Sequence, residues 1–434
     1  MSVNGKLALL GGAPICEESF PFDDPVISAE SLQAAVGCLK NKKLSMFYSA
    51  EIALFEREFS SFIGCSHTVF LTSCTVALHA ALLAVGVKSG NKVAVPAYTY
   101  VGSAMPVLLA GAEPVFVDIE LDSYGMDPES LEKALRTERI DAILLVHLFG
   151  IPAKESEILS LAESYGIPVV HDCAQALGTR INGAHVGIQQ VACFSFGDSK
   201  ILKIGEGGAV STSNSSIAKN VALVRHEGEV WKRADVVRAD EFRFTAHDVI
   251  EGLDYIGLGS NYRPTAISAA LARTQLSLLS ETLSKRARLA NVLSGSLSAM
   301  NSITIPSQKK SHEHSWISFP LVLADHLPRN TVIAALCAEG IPVGVHFPVP
   351  LPMHTVFRRW YRSEYPNASS FCKQQVILPV YPTLTKQHMV MITNAIEKVL
   401  VSNYAKLADI KKAAEAFLKN KPLRDLCSGV YFFY

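Results

Sequence analysis

Strand-like and helix-length segments alternate between Val69 and Val170, and no other feature of the chain restricts its fold as strongly. Apolar β-prone runs stand at Val69 to Leu71, Lys92 to Pro96, Pro114 to Asp118, Ala142 to His147 and Pro168 to Val170, each separated from the next by a helix-length segment. Strands joined by helical crossovers run parallel, and a parallel sheet needs both faces covered. The alternation therefore predicts an α/β fold with a mostly parallel sheet sandwiched by helices. Two amphipathic helices are expected ahead of the sheet, from Ser28 to Leu39 and from Glu51 to Ile63. In the second, Ile52, Phe55, Phe59 and Phe62 recur at threes and fours.

With 434 residues the chain exceeds one compact core. We divide it into an N-terminal arm (1–30), a large domain (31–270), a smaller C-terminal α/β domain (271–404) and a C-terminal extension (405–434). The arm carries the turn signals Gly11-Gly12-Ala13-Pro14 and Asp23-Asp24-Pro25. The small domain has strand candidates at Ile317 to Val322, Ile341 to Val343 and Val376 to Val380, interleaved with helices at Arg329 to Glu339 and Lys386 to Leu400. The extension pairs an amphipathic segment, Lys406 to Lys419, with an apolar end, Val430 to Tyr434.

Composition narrows the function. Forty basic and forty acidic side chains leave no net charge, so no long-range field recruits nucleic acid or an anionic membrane. Nine cysteines, an odd number without a CxxC pair, make neither a disulfide framework nor a zinc site, and no metal is expected. No signal peptide and no span-length apolar run is present. These features fit a cytoplasmic protein acting on a small molecule.

The candidate chemistry lies at loop positions beside strands. Lys200 is held between the run Val191 to Phe196 and the run Ala209 to Thr212, across Gly205, Gly207 and Gly208. A lysine fixed in this way can act as a nucleophile toward a carbonyl once its pKa is lowered. Ser73-Cys74-Thr75, a turn of small residues before a helix, offers backbone N–H groups to an anion, although Ser and Thr are also ordinary caps. Asp172 ends the strand Pro168 to Val170, where parallel sheets place their ligands, and is equally placed to cap a helix. The glycines after Lys200 are no nucleotide loop, since neither GxGxxG before a helix nor GxxxxGK[ST] is present.

The pattern Ser195-Phe196-x-x-x-Lys200 followed by Gly205-Glu206-Gly207-Gly208, together with Asp172-x-Ala174-Gln175 and Asn261-Tyr262-Arg263, resembles the DegT/DnrJ/EryC1/StrS sugar and cyclitol aminotransferases. The resemblance covers about Leu7 to Leu400 and implies a fold-type I pyridoxal phosphate enzyme. It implies that Lys200 holds the cofactor as an imine, with Lys203 the competing lysine. Asp172 would face the pyridine nitrogen, Tyr100 would stack on the ring and Gln175 would contact the phenolic oxygen. Ser73, Cys74, Thr75 and Ser195 would take the phosphate, joined by Asn261 from a second subunit, which makes the enzyme a homodimer with shared sites. Cys74 stands where the family has glycine, so a positive φ there would strain it. The substrate side is assigned to Arg225, at the start of a charged loop running to Gly259, and to His354, in a segment similar to the family's Pro-Leu-His loop.

The implied reaction moves an amino group from glutamate or glutamine to a keto-cyclitol or nucleotide-linked keto-sugar. The form of the motifs is most similar to the scyllo-inosose and aminohydroxybenzoate branch. A pyridoxal phosphate lyase of the same family and a non-enzymatic regulator on the same scaffold are the alternatives.

Overall fold

The computed structural model describes residues 5–18, 20–21, 23, 27–231, 253–401 and 407–420. The charged residues expected in the functional loop from Lys232 to Arg243, and the apolar end Val430 to Tyr434, lie outside this set.

A seven-stranded sheet forms the centre of the molecule. Its strands are β1 (His67–Leu71), β2 (Lys92–Pro96), β3 (Glu113–Val117), β4 (Ala142–Val146), β5 (Val169–Asp172), β8 (Val191–Ser195) and β9 (Gly208–Thr212), in the order β1-β9-β8-β5-β4-β2-β3. Between β5 and β8, β6 (Arg180–Ile181) and β7 (Ala184–His185) form a small hairpin. From β3 through β8 the neighbours are parallel, whereas β9 is antiparallel to both β8 and β1. The exception has a simple cause. The connections from β1 to β5 each contain a helix and the one from β5 to β8 passes through the β6–β7 hairpin, but β8 returns directly into β9, and a direct return reverses direction.

Side chains alternate across the sheet with the strand period of two. Val69 and Leu71 join one buried cluster with Val210 and Cys193, while Phe70, Ala209, Ala192 and Phe194 join the cluster on the other face. After α1 (Ala29–Asn41), Phe55 and Phe59 of α2 (Glu51–Ile63) meet Phe70, Phe194 and Phe196 edge-on, with ring centroids 4.8–5.5 Å apart. The expected amphipathic face of α2 is thus the lid of this second cluster.

A second, three-stranded antiparallel sheet is built from Ile303–Thr304, Phe319–Leu323 and Gln375–Leu378. The helices Leu279–Leu297, Arg329–Ala338 and Lys386–Val401 accompany it. The strand expected at Ile341 to Val343 is reduced to one bridge, Gly344 to Ile377. The arm is fastened to this layer. Glu339, fully buried, accepts the N–H groups of Ala8 (2.9 Å) and Ile15 (3.1 Å) and pairs with Lys398 at 2.8 Å. Helix Leu407–Asn420 packs on the turn Ala8–Leu10 and on helix Arg329–Ala338, burying Ile410 and Ala414. Among the described residues no helix is long and apolar enough to cross a membrane.

Candidate active site

The carboxyl ends of β4, β5 and β8 and the loops after them enclose a cleft of about 490 Å³. Ser73, Cys74, Thr75, Tyr100, Asp172, Gln175, Ser195 and Lys200 all line it. The sheet register explains part of this convergence. Asp172 pairs with Cys193 across β5 and β8, which puts Ser195 and the following loop just beyond Asp172.

The small-residue turn is placed by close backbone contact. Ser195 pairs with Gly208 across β8 and β9, and a Cβ on Gly208 would lie 2.2 Å from the carbonyl carbon of Ser73. Only glycine lets β9 run this close beneath the turn. Ser73 caps α3 (Cys74–Ala84), its Oγ accepting the Val76 N–H, so the first N–H groups of the helix have no partner within the helix. Cys74 opens that helix and is absent from the residues with positive φ, so the strain expected there does not arise. Its Sγ lies 4.0 Å from Asp172 Oδ1. Gly102 does for Tyr100 what Gly208 does for Ser73, since a Cβ there would come within 2.7 Å of the tyrosine ring.

Asp172 is held by two donors: Ser103 Oγ donates to Oδ2 at 2.6 Å and the Ala174 N–H to Oδ1 at 2.9 Å, while Thr99 lies 2.9 Å from Ser103. Burial pushes the Asp172 carboxyl up, opposed by the Ser103 and Ala174 hydrogen bonds and by the charge of Lys200. Burial pulls the Lys200 ammonium down, opposed by Cys74, Asp172 and Glu206. Gln175 Oε1 accepts the Phe149 N–H at 2.8 Å, which fixes the amide so that its NH₂ end is the donor available to a ligand.

These features determine the family. Residues 25–397 match the model described as the DegT/DnrJ/EryC1/StrS aminotransferase family. The chain belongs to that family. It is 30% identical to an uncharacterized protein of Methanocaldococcus jannaschii, over 90% of this chain and 100% of the relative. Among solved structures it resembles S. venezuelae DesV in complex with a ketimine intermediate (TM-score 0.76, 30% identity, 85% of this chain and 94% of that one). It also resembles 3-amino-5-hydroxybenzoic acid synthase (TM-score 0.77, 25% identity, 89% and 99%). The protein is a pyridoxal phosphate-dependent aminotransferase.

The cleft of the aminotransferase fits that cofactor. A buried lysine, a buried carboxylate at a strand end, an aromatic ring and a helix N-terminus cradled by Gly208 share one cavity, which matches the needs of an aldehyde, a pyridine nitrogen, a flat ring and a phosphate.

Three expected residues lie elsewhere. Arg225 does not line the cleft: its guanidinium is buried, pairing with Glu56 at 2.6 Å and donating to the Phe70 carbonyl at 3.1 Å. A charge next to a charged loop looked available for binding, but it ends helix Ser215–Arg225 and turns into the core toward a carboxylate on α2. His354 is exposed and outside the residues lining the cleft. His346, eight residues earlier, is the histidine near Lys200, whose charge joins burial in holding its pKa down to about 3. Asn261 is exposed, bridged to His226, and outside its own chain's cleft.

Sequence reading passed over Ser103, which sits in an apolar helical run, and Thr99, in the bend just before that helix, neither with a motif of its own. His314, likewise without a motif, is buried, with its pKa held down to about 4. Buried His147, His171 and Glu155 bring three donor atoms within 4.8 Å of one another. Their hydrogen bonds argue against a metal. His147 Nδ1 accepts the Ala153 N–H (3.2 Å), so its proton is assigned to Nε2, which then donates to His171 Nδ1 (3.1 Å) and occupies both facing lone pairs.

Proposed function

We propose that the aminotransferase transfers an amino group from glutamate or glutamine to a keto group on a cyclitol or nucleotide-linked sugar. The observation that carries this reading is the placement of Lys200 and Asp172, both buried, on the walls of one cleft. The likeness to 3-amino-5-hydroxybenzoic acid synthase, whose named product is a ring bearing amino and hydroxyl groups, supports a ring-bearing keto substrate.

When bound, pyridoxal phosphate supplies an electron sink for charge developing at the donor Cα. In this reading Lys200 carries the cofactor through Nζ, and once released it moves the Cα proton as general base and then general acid. Its burial favours the neutral amine that this role requires. Asp172, oriented by Ser103 and the Ala174 N–H, holds the proton on the pyridine nitrogen. Gln175 donates to the phenolic oxygen, and Tyr100 lies against the ring. Ser73, Thr75, Ser195 and the backbone at Cys74 receive the phosphate.

The second subunit enters through Asn261. Around it lie exposed apolar side chains, with Leu258 83% and Tyr48 74% accessible, alongside Tyr255 and Ile256. Phe47, next to Tyr48, meets His226 in a tilted ring contact at 5.2 Å, and His226 bridges to Asn261, which ties Tyr48's segment to that of Asn261. A homodimer covers this surface and brings Asn261 to the partner's phosphate. The eight described cysteines are all free thiols, which suits the reducing cytoplasm.

The test is an absorbance spectrum of the purified protein before and after borohydride, beside Lys200→Ala, with glutamate and with glutamine. A visible band trapped on Lys200 and bleached by one donor is expected. Absence of any such band after adding pyridoxal phosphate would overturn the reading.

A further inference from the structure

Three residues after Lys200, Lys203 enters a second buried charge cluster that the reaction does not use. Its Nζ lies 2.9 Å from Asp23 Oδ2 and also donates to the Asp23 backbone carbonyl, a residue of the N-terminal arm 180 positions away in sequence. The same Oδ2 accepts from Arg286 at 3.3 Å, on helix Leu279–Leu297. Arg286 is 1% exposed, and its other terminal nitrogen donates to the carbonyls of Trp316, Ile317 and Val380 at 3.1–3.2 Å. Beside it, Tyr381 Oη donates to the Pro21 carbonyl at 2.7 Å. One carboxylate in the arm thus ties together the lysine loop, the long helix and two segments of the C-terminal layer.

The loop needs such a tie. Its own backbone bonds are local: Lys200 N–H to the Gly197 carbonyl, Ile204 N–H to the Phe196 carbonyl and Phe196 N–H to the Gly207 carbonyl. They shape the turn without anchoring it to another layer. Ile201 and Leu202 are buried by packing, which is non-directional, whereas the Lys203 ion pair fixes one point of the loop in space. Two cations share one carboxylate in this cluster, so removing Asp23 would leave two buried positive charges facing each other.

We infer that Lys203 is a positioning residue for Lys200, acting through Asp23 and Arg286, so that docking of the N-terminal arm sets the seat of the cofactor lysine. This inference rests on the reading that Lys200 carries the cofactor. It makes the arm part of the active-site machinery without contact with any ligand.

The experiment uses the full chain as Lys203→Met, Lys203→Arg, Asp23→Asn and the double variant Asp23→Asn with Lys203→Met. Pyridoxal phosphate affinity of the apoenzyme is read by spectral titration, together with the pH at which the bound visible band titrates and amide exchange over residues 196–207. Lys203→Met and Asp23→Asn are each expected to weaken cofactor binding about tenfold, displace the spectral midpoint and speed exchange in the loop. Lys203→Arg restores the midpoint, and the double variant is little worse than either single one, since the two share one interaction. Wild-type affinity, midpoint and exchange in a folded Lys203→Met or Asp23→Asn protein would overturn the inference. Should Lys203→Met fail to fold, Asp23→Asn alone decides. Borohydride trapping on wild-type Lys200 tests the underlying reading separately. If that trap failed, faster exchange at residues 196–207 in the arm variant would still support the clamp, and unchanged exchange would overturn it.

Discussion

Lys200 and Lys203 stand on the same loop, both buried and both with ammonium groups pulled below their ordinary range by burial, yet their surroundings assign them different work. The charge of Lys203 is met directly by the carboxylate and carbonyl of Asp23, with Arg286 behind. Lys200 lines a cleft, and the carboxylate nearest in function, Asp172, has both oxygens engaged by Ser103 and the Ala174 N–H. Burial alone therefore does not mark a reactive lysine. The mark is a cavity in front and a carboxylate oriented by other groups.

The contrast is tested most strongly by paired substitution. Lys200→Ala is expected to slow the half-reaction with the amino donor more than about 10³-fold, since under the proposed function it removes both the attachment point and the proton carrier. Its melting temperature stays near wild type. Lys203→Met reverses this order: it leaves a lysine to be trapped by borohydride but costs about 3 kcal/mol of stability, because a buried ion pair loses one partner. Stopped-flow absorbance and thermal melts on both proteins measure the two effects. If Lys200→Ala melted below Lys203→Met, the division of labour drawn here would be wrong.

Smaller changes sharpen the role of the carboxylate. Asp172→Asn keeps the shape but cannot hold a cationic pyridine nitrogen, and the half-reaction is expected to fall about 10²–10³-fold. Ser103→Ala removes one hydrogen bond to that carboxylate, worth about 1.5–3 kcal/mol when charged, so a loss of about tenfold or more is expected. Equal activity in Ser103→Ala and wild type would show that the Ala174 N–H alone orients Asp172. Gly208→Ala belongs between the two. The added methyl meets the Ser73 backbone at 2.2 Å, backbone cannot give way cheaply, and cofactor affinity should drop while Lys200 remains trappable in excess cofactor.

How much of this was legible in the sequence differs from residue to residue for physical reasons. The parallel core of the sheet follows from strand and helix lengths alone. Lys200, Asp172 and Gln175 stand in short contiguous motifs, so a resemblance carries them together, and the fold gathers them round one cleft. Ser103 had no such signal. Its role depends on the first turn of helix Val101–Leu109 meeting the end of β5, a contact no periodicity encodes. Asp23 read as a turn residue because its partners are far away along the chain, and loop closure over such distances leaves no local trace. Arg225 and His354 fall outside the residues lining the cleft for the same underlying reason. Sequence gives the type of a polar side chain but not whether it turns inward to a partner, as Arg225 does to Glu56, or outward to water, as His354 does.

Cys74 gives the smallest expected effect and the finest test of the comparison between the two buried clusters. Glycine is the family's residue there, and a side chain would be strained if the backbone required a positive φ. The observed start of α3 requires none, so the cysteine fits. Its thiol, pushed well up by burial, lies 4.0 Å from Asp172 Oδ1, a long contact for a weak donor. Cys74→Gly should therefore cost no more than about 1 kcal/mol of stability through backbone entropy. Cofactor affinity should change less than about threefold, corresponding to roughly 0.7 kcal/mol. Spectral titration of the apoenzyme and a thermal melt check both. A tenfold loss of affinity would mean that the thiol helps hold Asp172. The carboxylate facing the cleft would then depend on three donors where Asp23 depends on two cations, and the orientation of Asp172 would have to be credited to a residue in which this chain departs from its family.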